Sequence, residues 1–167
     1  AKKEFTKNID IVQGPALRFE YMKNNILKPK KNIVLIAFSV DEKVNSNIWN
    51  VIVNSQILKK QKVFIKNHPI LKDNFFKNKN FPKNFIIKDE TFEKLLAKSK
   101  ILITSGCTST IIESLACGTY FLTPFNNFFD KFSLKSVKIP QEGYRISNNF
   151  KEFEKNFLKK YNFKSNE

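Results

Sequence analysis

Arginine is almost missing from this chain of 167 residues: Arg18 and Arg145 are the only two among thirty basic side chains, set against fifteen acidic ones. Chains that read nucleic-acid phosphates or base edges lean on the bidentate guanidinium. The net charge of +15 therefore does not by itself describe a sequence-reading module. The lysines come with abundant Asn, Ile and Phe, all encoded by A/T-rich codons, so genome composition accounts for the mixture. A general attraction to anions follows from the charge whatever its origin. One histidine and two cysteines, Cys107 and Cys117, with no CxxC pair, argue against a zinc site. Their spacing leaves a disulfide open, while a reduced pair suits a cytosolic chain. The longest apolar run, Ile33–Phe38, is far short of the roughly 20 residues that cross a bilayer. The opening AKKEFTKN is charged and polar, unlike a signal peptide. The expectation is a soluble, cytoplasmic chain whose charge suits a peripheral contact with an anionic inner-membrane surface.

What is present fits one domain. Apolar residues make up 41% and charged residues 27%, enough to bury a single core. Ile33–Ser39 is a continuous apolar run, as expected of a strand buried on both faces. Residues 46–60 follow as a helix with Ile48, Trp49, Ile52, Ile57 and Leu58 on its apolar face. Lys62–Lys66 and Phe85–Lys88 read as the second and third strands. KNKNFPKN at 77–84 is a polar connector. Asp89 is placed to cap a helix carrying Phe92, Leu95 and Leu96. Ile101–Thr104 is a fourth strand, and Ser109–Cys117 a helix stopped by Gly118. Tyr120–Leu122 is a fifth strand and Val137–Ile139 a candidate sixth. Phe150, Phe153, Phe157 and Tyr161 recur at helical spacing, a closing helix whose phenylalanines are core rather than a base-stacking platform. Ile9–Val12 reads as an edge strand before Gly14-Pro15, and NNILKPKKN at 24–32 as a basic connector.

Alternating strands and helices predict a Rossmann-like three-layer α/β/α sandwich with a mostly parallel sheet of about five to six strands. The domain itself spans 33–161, after a lead-in or interdomain segment at 1–32 and before a tail at 162–167. Such sheets bind ligands beyond the carboxyl ends of their strands, so residues following each strand are the candidates for chemistry.

After the second strand comes Lys66-Asn67-His68-Pro69. The proline restricts His68 to extended backbone, which projects the imidazole from the ligand edge. A lone histidine is often structural, but this position and the flanking Lys66 point to an anion contact. After the fourth strand, Ser105-Gly106-Cys107-Thr108-Ser109-Thr110 opens into a helix, a setting suited to phosphate. The competing reading is ordinary capping, since Thr110-Ile111-Ile112-Glu113 fits a capping box. Otherwise the Glu113 carboxylate faces the same crevice and can accept from a ribose diol. Cys107 reads as a small filler. Glu142, Tyr144 and Arg145 after the sixth strand, and Asn126 and Asn127 after the fifth, read as solvated loop.

Lys66-Asn67-His68-Pro69, then Ser105-Gly106-Cys107-Thr108-Ser109, then Glu113 through Gly118 resemble the C-terminal, donor-nucleotide-binding half of a GT-B glycosyltransferase. The nearest likeness is to bacterial sialyltransferases and polysialyltransferases, with an HP motif and a Ser/Thr-rich motif. The resemblance covers about residues 33–125. It implies that His68 contacts the donor phosphate and helps the leaving group depart, and that Ser105, Gly106, Thr108 and Ser109 hold phosphate or ribose. It also implies that Glu113 takes the ribose hydroxyls, and Lys66, flanking His68, is counted with the nucleotide-binding residues. Further implications are a CMP-linked donor, with UDP- or CDP-linked sugars behind it, a surface-glycan acceptor, and no metal or separate cofactor. Such enzymes close their site between two halves and place acceptor and base in the first, so this half is expected to be inactive alone. Gly14–Arg18 would then be an interdomain segment, and the closing helix would pack across the other half. The rival expectations are a basic nucleic-acid-binding module and half of a sugar-nucleotide epimerase.

Overall fold

The apolar run predicted to be fully buried sits in the middle of the sheet. The computed structural model describes residues 31–70, 75–104, 109–124, 144–147 and 149–161. Within it β1 (Lys31–Ala37) pairs on both sides, with β2 (Lys62–Lys66) and β4 (Ser99–Ile103). With β3 (Phe85–Ile87), β5 (Tyr120–Thr123) and β6 (Tyr144–Ile146) they form one six-stranded sheet ordered β3-β2-β1-β4-β5-β6. Every described pair is parallel. Parallel neighbours need crossover connections, which helices supply. Three such helices lie between strands, α1 (Glu42–Asn54), α2 (Phe92–Lys98) and α3 (Ser109–Ala116), and a fourth, α4 (Phe150–Tyr161), follows β6.

The two-residue alternation of the strands divides the core. Val34 and Ile36 join Ile48 and Ile52 of α1 and Phe153 and Phe157 of α4 on one face. Leu35 joins Leu95 and Leu96 of α2 and Ile111 of α3 on the other. Both faces are covered, so the fold is the expected three-layer Rossmann-like sandwich, with its sheet wholly parallel among the described strands. The chain turns back between β3 and β4, so the strand order switches direction between β1 and β4. A crevice beyond the carboxyl ends of those two strands is where such a sheet takes a ligand.

Several boundaries differ from the sequence reading for identifiable reasons. β1 ends at Ala37 rather than Ser39, because the Ser39 peptide is taken by a side chain: Asn45 Nδ2 donates to its carbonyl and Asn45 Oδ1 accepts from its N–H, both at 2.8 Å. The first helix begins at Glu42, not at residue 46. Asp41 Oδ1 caps it by accepting from the N–H groups of Lys43 at 2.8 Å and Val44 at 3.2 Å. It stops at Asn54, and a short 3-10 turn (Leu58–Lys60) replaces the rest. Asp89 caps nothing; Thr91 occupies the cap position of α2 and makes no side-chain capping bond. Thr110 lies inside α3, so it is not the first member of a capping box with Glu113. The stop at Gly118 is as expected: its φ of 68° is the left-handed conformation that glycine adopts without Cβ strain. Tyr144 and Arg145 belong to strand β6 rather than a loop. β1 takes up residues 31 and 32, the end of the expected lead-in at 1–32; the rest of that segment, the expected strands at Ile9–Val12 and Val137–Ile139, the tail at 162–167, and Cys107, Asn126, Asn127 and Glu142 lie outside the described residues.

Candidate functional site

At the carboxyl edge of the sheet two adjoining cavities open, of about 530 and 400 Å3. They share walls made by Phe38 after β1, His68 and Pro69 after β2, and Phe92, Glu93 and Thr110 from α2 and α3. The larger cavity continues along the β1–β4 crevice to Ser39, Thr104, Ser109 and Glu113. The smaller runs outward past Lys66, Asn67, Asp89 and Thr91. The larger one thus occupies the switch point set by the strand order.

Each wall is held by its own local bonds. The β1–α1 turn is pinned by buried Asn45, and the Phe38 N–H extends the ladder by donating to the Lys66 carbonyl at 3.0 Å. The Phe38 ring packs on Phe75 and Phe76, with centroids 5.5 and 5.4 Å away, so this wall is backed by aromatic core. On the β4 side, Thr104 donates its N–H to the Leu122 carbonyl at 3.2 Å. The lower end of α3 is fixed where the Thr119 N–H donates to the Ser114 carbonyl at 2.7 Å.

His68 is half-buried, and its Nδ1 accepts from the Ile70 N–H at 3.3 Å. An accepting Nδ1 must carry the lone pair, so the neutral ring holds its proton on Nε2. The imidazole is thereby set to donate from Nε2 without needing a second proton. Glu113 is 3% exposed, a carboxylate side chain deep in the wall of the larger cavity. Lys66 donates from Nζ to the Asp89 carbonyl at 3.2 Å, which ties the β3–α2 turn to β2.

Of the residues singled out from sequence, His68, Ser109 and Glu113 line one cavity, although they are far apart in the chain. Lys66 stands apart from Ser109 and Glu113, in the smaller cavity, while His68 lines both. Ser105, Gly106 and Thr108 lie outside the described residues. The sequence reading missed Phe38, Ser39, Phe92, Glu93 and Thr104 as wall residues. Phe38, Ser39 and Thr104 fall inside the predicted strands Ile33–Ser39 and Ile101–Thr104, whereas β1 ends at Ala37 and β4 at Ile103, which leaves them at the ligand edge. No strand boundary marks Phe92 and Glu93; they arrive by the packing of α2. Among the described residues no three His, Cys, Asp or Glu side chains gather as a metal site requires.

No model of a known protein family matches the chain, and no curated protein does. Solved structures match in shape. A crystal structure of the glycotransferase of kitacinnamycin superposes with a TM-score of 0.55 over 93% of this chain at 10% sequence identity. The match covers 38% of that protein's chain, so this chain spans well under half of its length. A structure of the cypemycin decarboxylase CypD matches at a TM-score of 0.42 over 77% of this chain and 89% of that one, with 9% identity; it is too distant to carry an argument. The first likeness shows the fold alone, a Rossmann-like α/β unit.

Proposed function

We propose that this chain is the donor-binding part of a glycosyltransferase and holds the nucleotide of an activated sugar in the larger cavity. The observation that carries the reading is the convergence of His68, Ser109 and Glu113 on one cavity at the sheet's switch point. Fold alone does not fix function; a donor and a buried carboxylate facing one crevice of mononucleotide size favour this reading over a charge-driven nucleic-acid module.

The chemistry follows from the groups. In glycosyl transfer the bond between the sugar's anomeric carbon and the donor phosphate oxygen breaks, and an acceptor hydroxyl forms the new bond. Negative charge grows on the departing phosphate. His68 Nε2–H would donate to that phosphate and stabilise the charge as it develops. The start of α3, where Ser109 and Thr110 line the cavity, carries the positive end of the helix dipole and suits the same anion. The start of α1 does not, because Asp41 already places a carboxylate there. Glu113 would accept from the ribose hydroxyls. CMP-linked sugars head the donor class, followed by UDP- and CDP-linked ones, and a surface glycan is the acceptor. A second domain would supply the acceptor site and base; this chain's coverage of only 38% of its solved neighbour supports that division.

The test is a titration of the full chain with CMP, CDP and UDP, followed by amide NMR and calorimetry. Shifts should centre on His68, Ser109 and Glu113 for at least one nucleotide. Shifts confined to other residues, or none with any of the three at millimolar concentration, would overturn the assignment.

A further inference from the structure

We infer that the α2 face of the sheet, at its β3 edge, is a docking surface for an anionic lipid bilayer. Helix α2 packs over β1 and β4 and leaves β3 at the edge of that face. Phe64 of β2 and Ile86 of β3 are partners in register and so point the same way. Ile86 remains 39% exposed. Over the Phe64 ring lie two ammonium groups, Lys62 Nζ at 5.4 Å and Lys88 Nζ at 5.0 Å from its centroid. Beside them Lys98 bonds Glu90 at 2.5 Å, and the charges of Lys88 and Lys94 also act on that carboxylate. Lys62 and Lys88 therefore cover the Phe64 ring beside exposed Ile86, and Lys88, Lys94 and Lys98 surround one acid, Glu90. Asp89 and Glu93 line the cavity edge rather than this flank.

Two features favour lipid over nucleic acid or an acidic protein. The cations are lysines, which meet headgroups as flexible point charges and lack the planar fork that reads bases. The floor is aliphatic as well as aromatic. Lysine stems folded over it can swing their ammonium groups to headgroup phosphates and leave Ile86 at the acyl boundary. The inference stands apart from the cavity and its nucleotide: binding here can fail while nucleotide binding holds, and the reverse.

The experiment is co-sedimentation of the full chain with phosphatidylcholine vesicles, with and without phosphatidylglycerol. The wild type should bind only the anionic vesicles. The K62E/K88E variant should lose about tenfold or more in affinity. A K43E/K155E variant, with the same change in net charge on exposed residues elsewhere, should lose about twofold or less. An Ile86→Ser variant should weaken vesicle binding while leaving heparin binding unchanged, because it alters only the apolar floor. Equal losses in the two charge-reversal variants would overturn the proposal in favour of general attraction. So would vesicle affinity that ignores Ile86, or wild-type binding to RNA or an acidic peptide but not to anionic vesicles. Circular dichroism and nucleotide titration of each variant separate a binding defect from an unfolded chain.

Discussion

Helices α1 and α3 both begin at the carboxyl edge of the sheet, and their first turns have different surroundings. The α1 start is closed by its own chain: Asp41 accepts from two peptide N–H groups and Asn45 clamps the Ser39 peptide. No residue of α1 lines the larger cavity. The α3 start contributes Ser109 and Thr110 to the wall, with Glu113 one turn further on. The positive end of the α1 dipole is thus met by the chain's own carboxylate, whereas the first turn of α3 forms part of the crevice wall. A helix start in a Rossmann-like sheet is not a phosphate site by topology alone; at α1 the residue just before the helix, Asp41, fills that place.

The widest separation between the two ends is expected from Asn45→Ala. It leaves the half-buried Ser39 N–H and carbonyl without their Asn45 partners, at about 2 kcal/mol, and urea unfolding should show that loss. Because Ser39 also lines the cavity, nucleotide affinity should fall with it; undiminished affinity would mean that the turn plays no part in the site. Next in size, His68→Ala removes the donor and should weaken nucleotide binding by about tenfold to a hundredfold, with little change in stability. His68→Gln, which keeps an N–H donor, should recover part of the loss. Asp41→Ala should cost about 1 kcal/mol through the lost cap, a fall in melting temperature of about 2–4 °C for a chain of this size. Its nucleotide affinity should not change; if it does, the contrast between the two helix starts fails.

The smallest effect concerns an acid remote from both. The hydrogen bond from Lys98, with the charges of Lys98, Lys88 and Lys94, holds the Glu90 carboxyl below its ordinary value of 4.5. A depressed carboxyl favours the folded state above its unfolded value and loses that contribution as pH falls through the folded one. Glu90→Gln should therefore narrow the stability gap between neutral and acid pH slightly, seen in melts at pH 7 and pH 3.

The elements most legible in the sequence were those whose signal is local. Ile33–Phe38 reads as a doubly buried strand because six consecutive apolar residues have no exposed face to hide. Phe153 and Phe157 read as core because helical spacing puts them on one stripe, and both are fully buried. The start of α1 was misplaced because apolar spacing, counted from Ile48, says nothing about the polar turn before it; the Asp41-Glu42 pair was the overlooked mark. Tyr144 and Arg145 read as solvated loop, yet Tyr144–Ile146 pairs with β5 as β6; three residues carry too short a pattern to mark a strand. The site shows the same division. His68 and Glu113 could be named from their positions after strands. Phe92 and Glu93 could not, because they reach the cavity only through the way α2 lies across the sheet.

What the sequence determined by itself is the alternation of strand and helix, the apolar faces they bury and the ends at which Asp41 and Gly118 start and stop helices. These follow from backbone hydrogen bonding and side-chain period, which are properties of neighbours in the chain. Strand order belongs to the tertiary structure, and with it the reversal between β1 and β4 that opens the crevice. So do the meeting of His68 with Glu113 and the flank where lysines cover Phe64. Each depends on which distant segments share a surface, and that choice is made by packing the whole core at once.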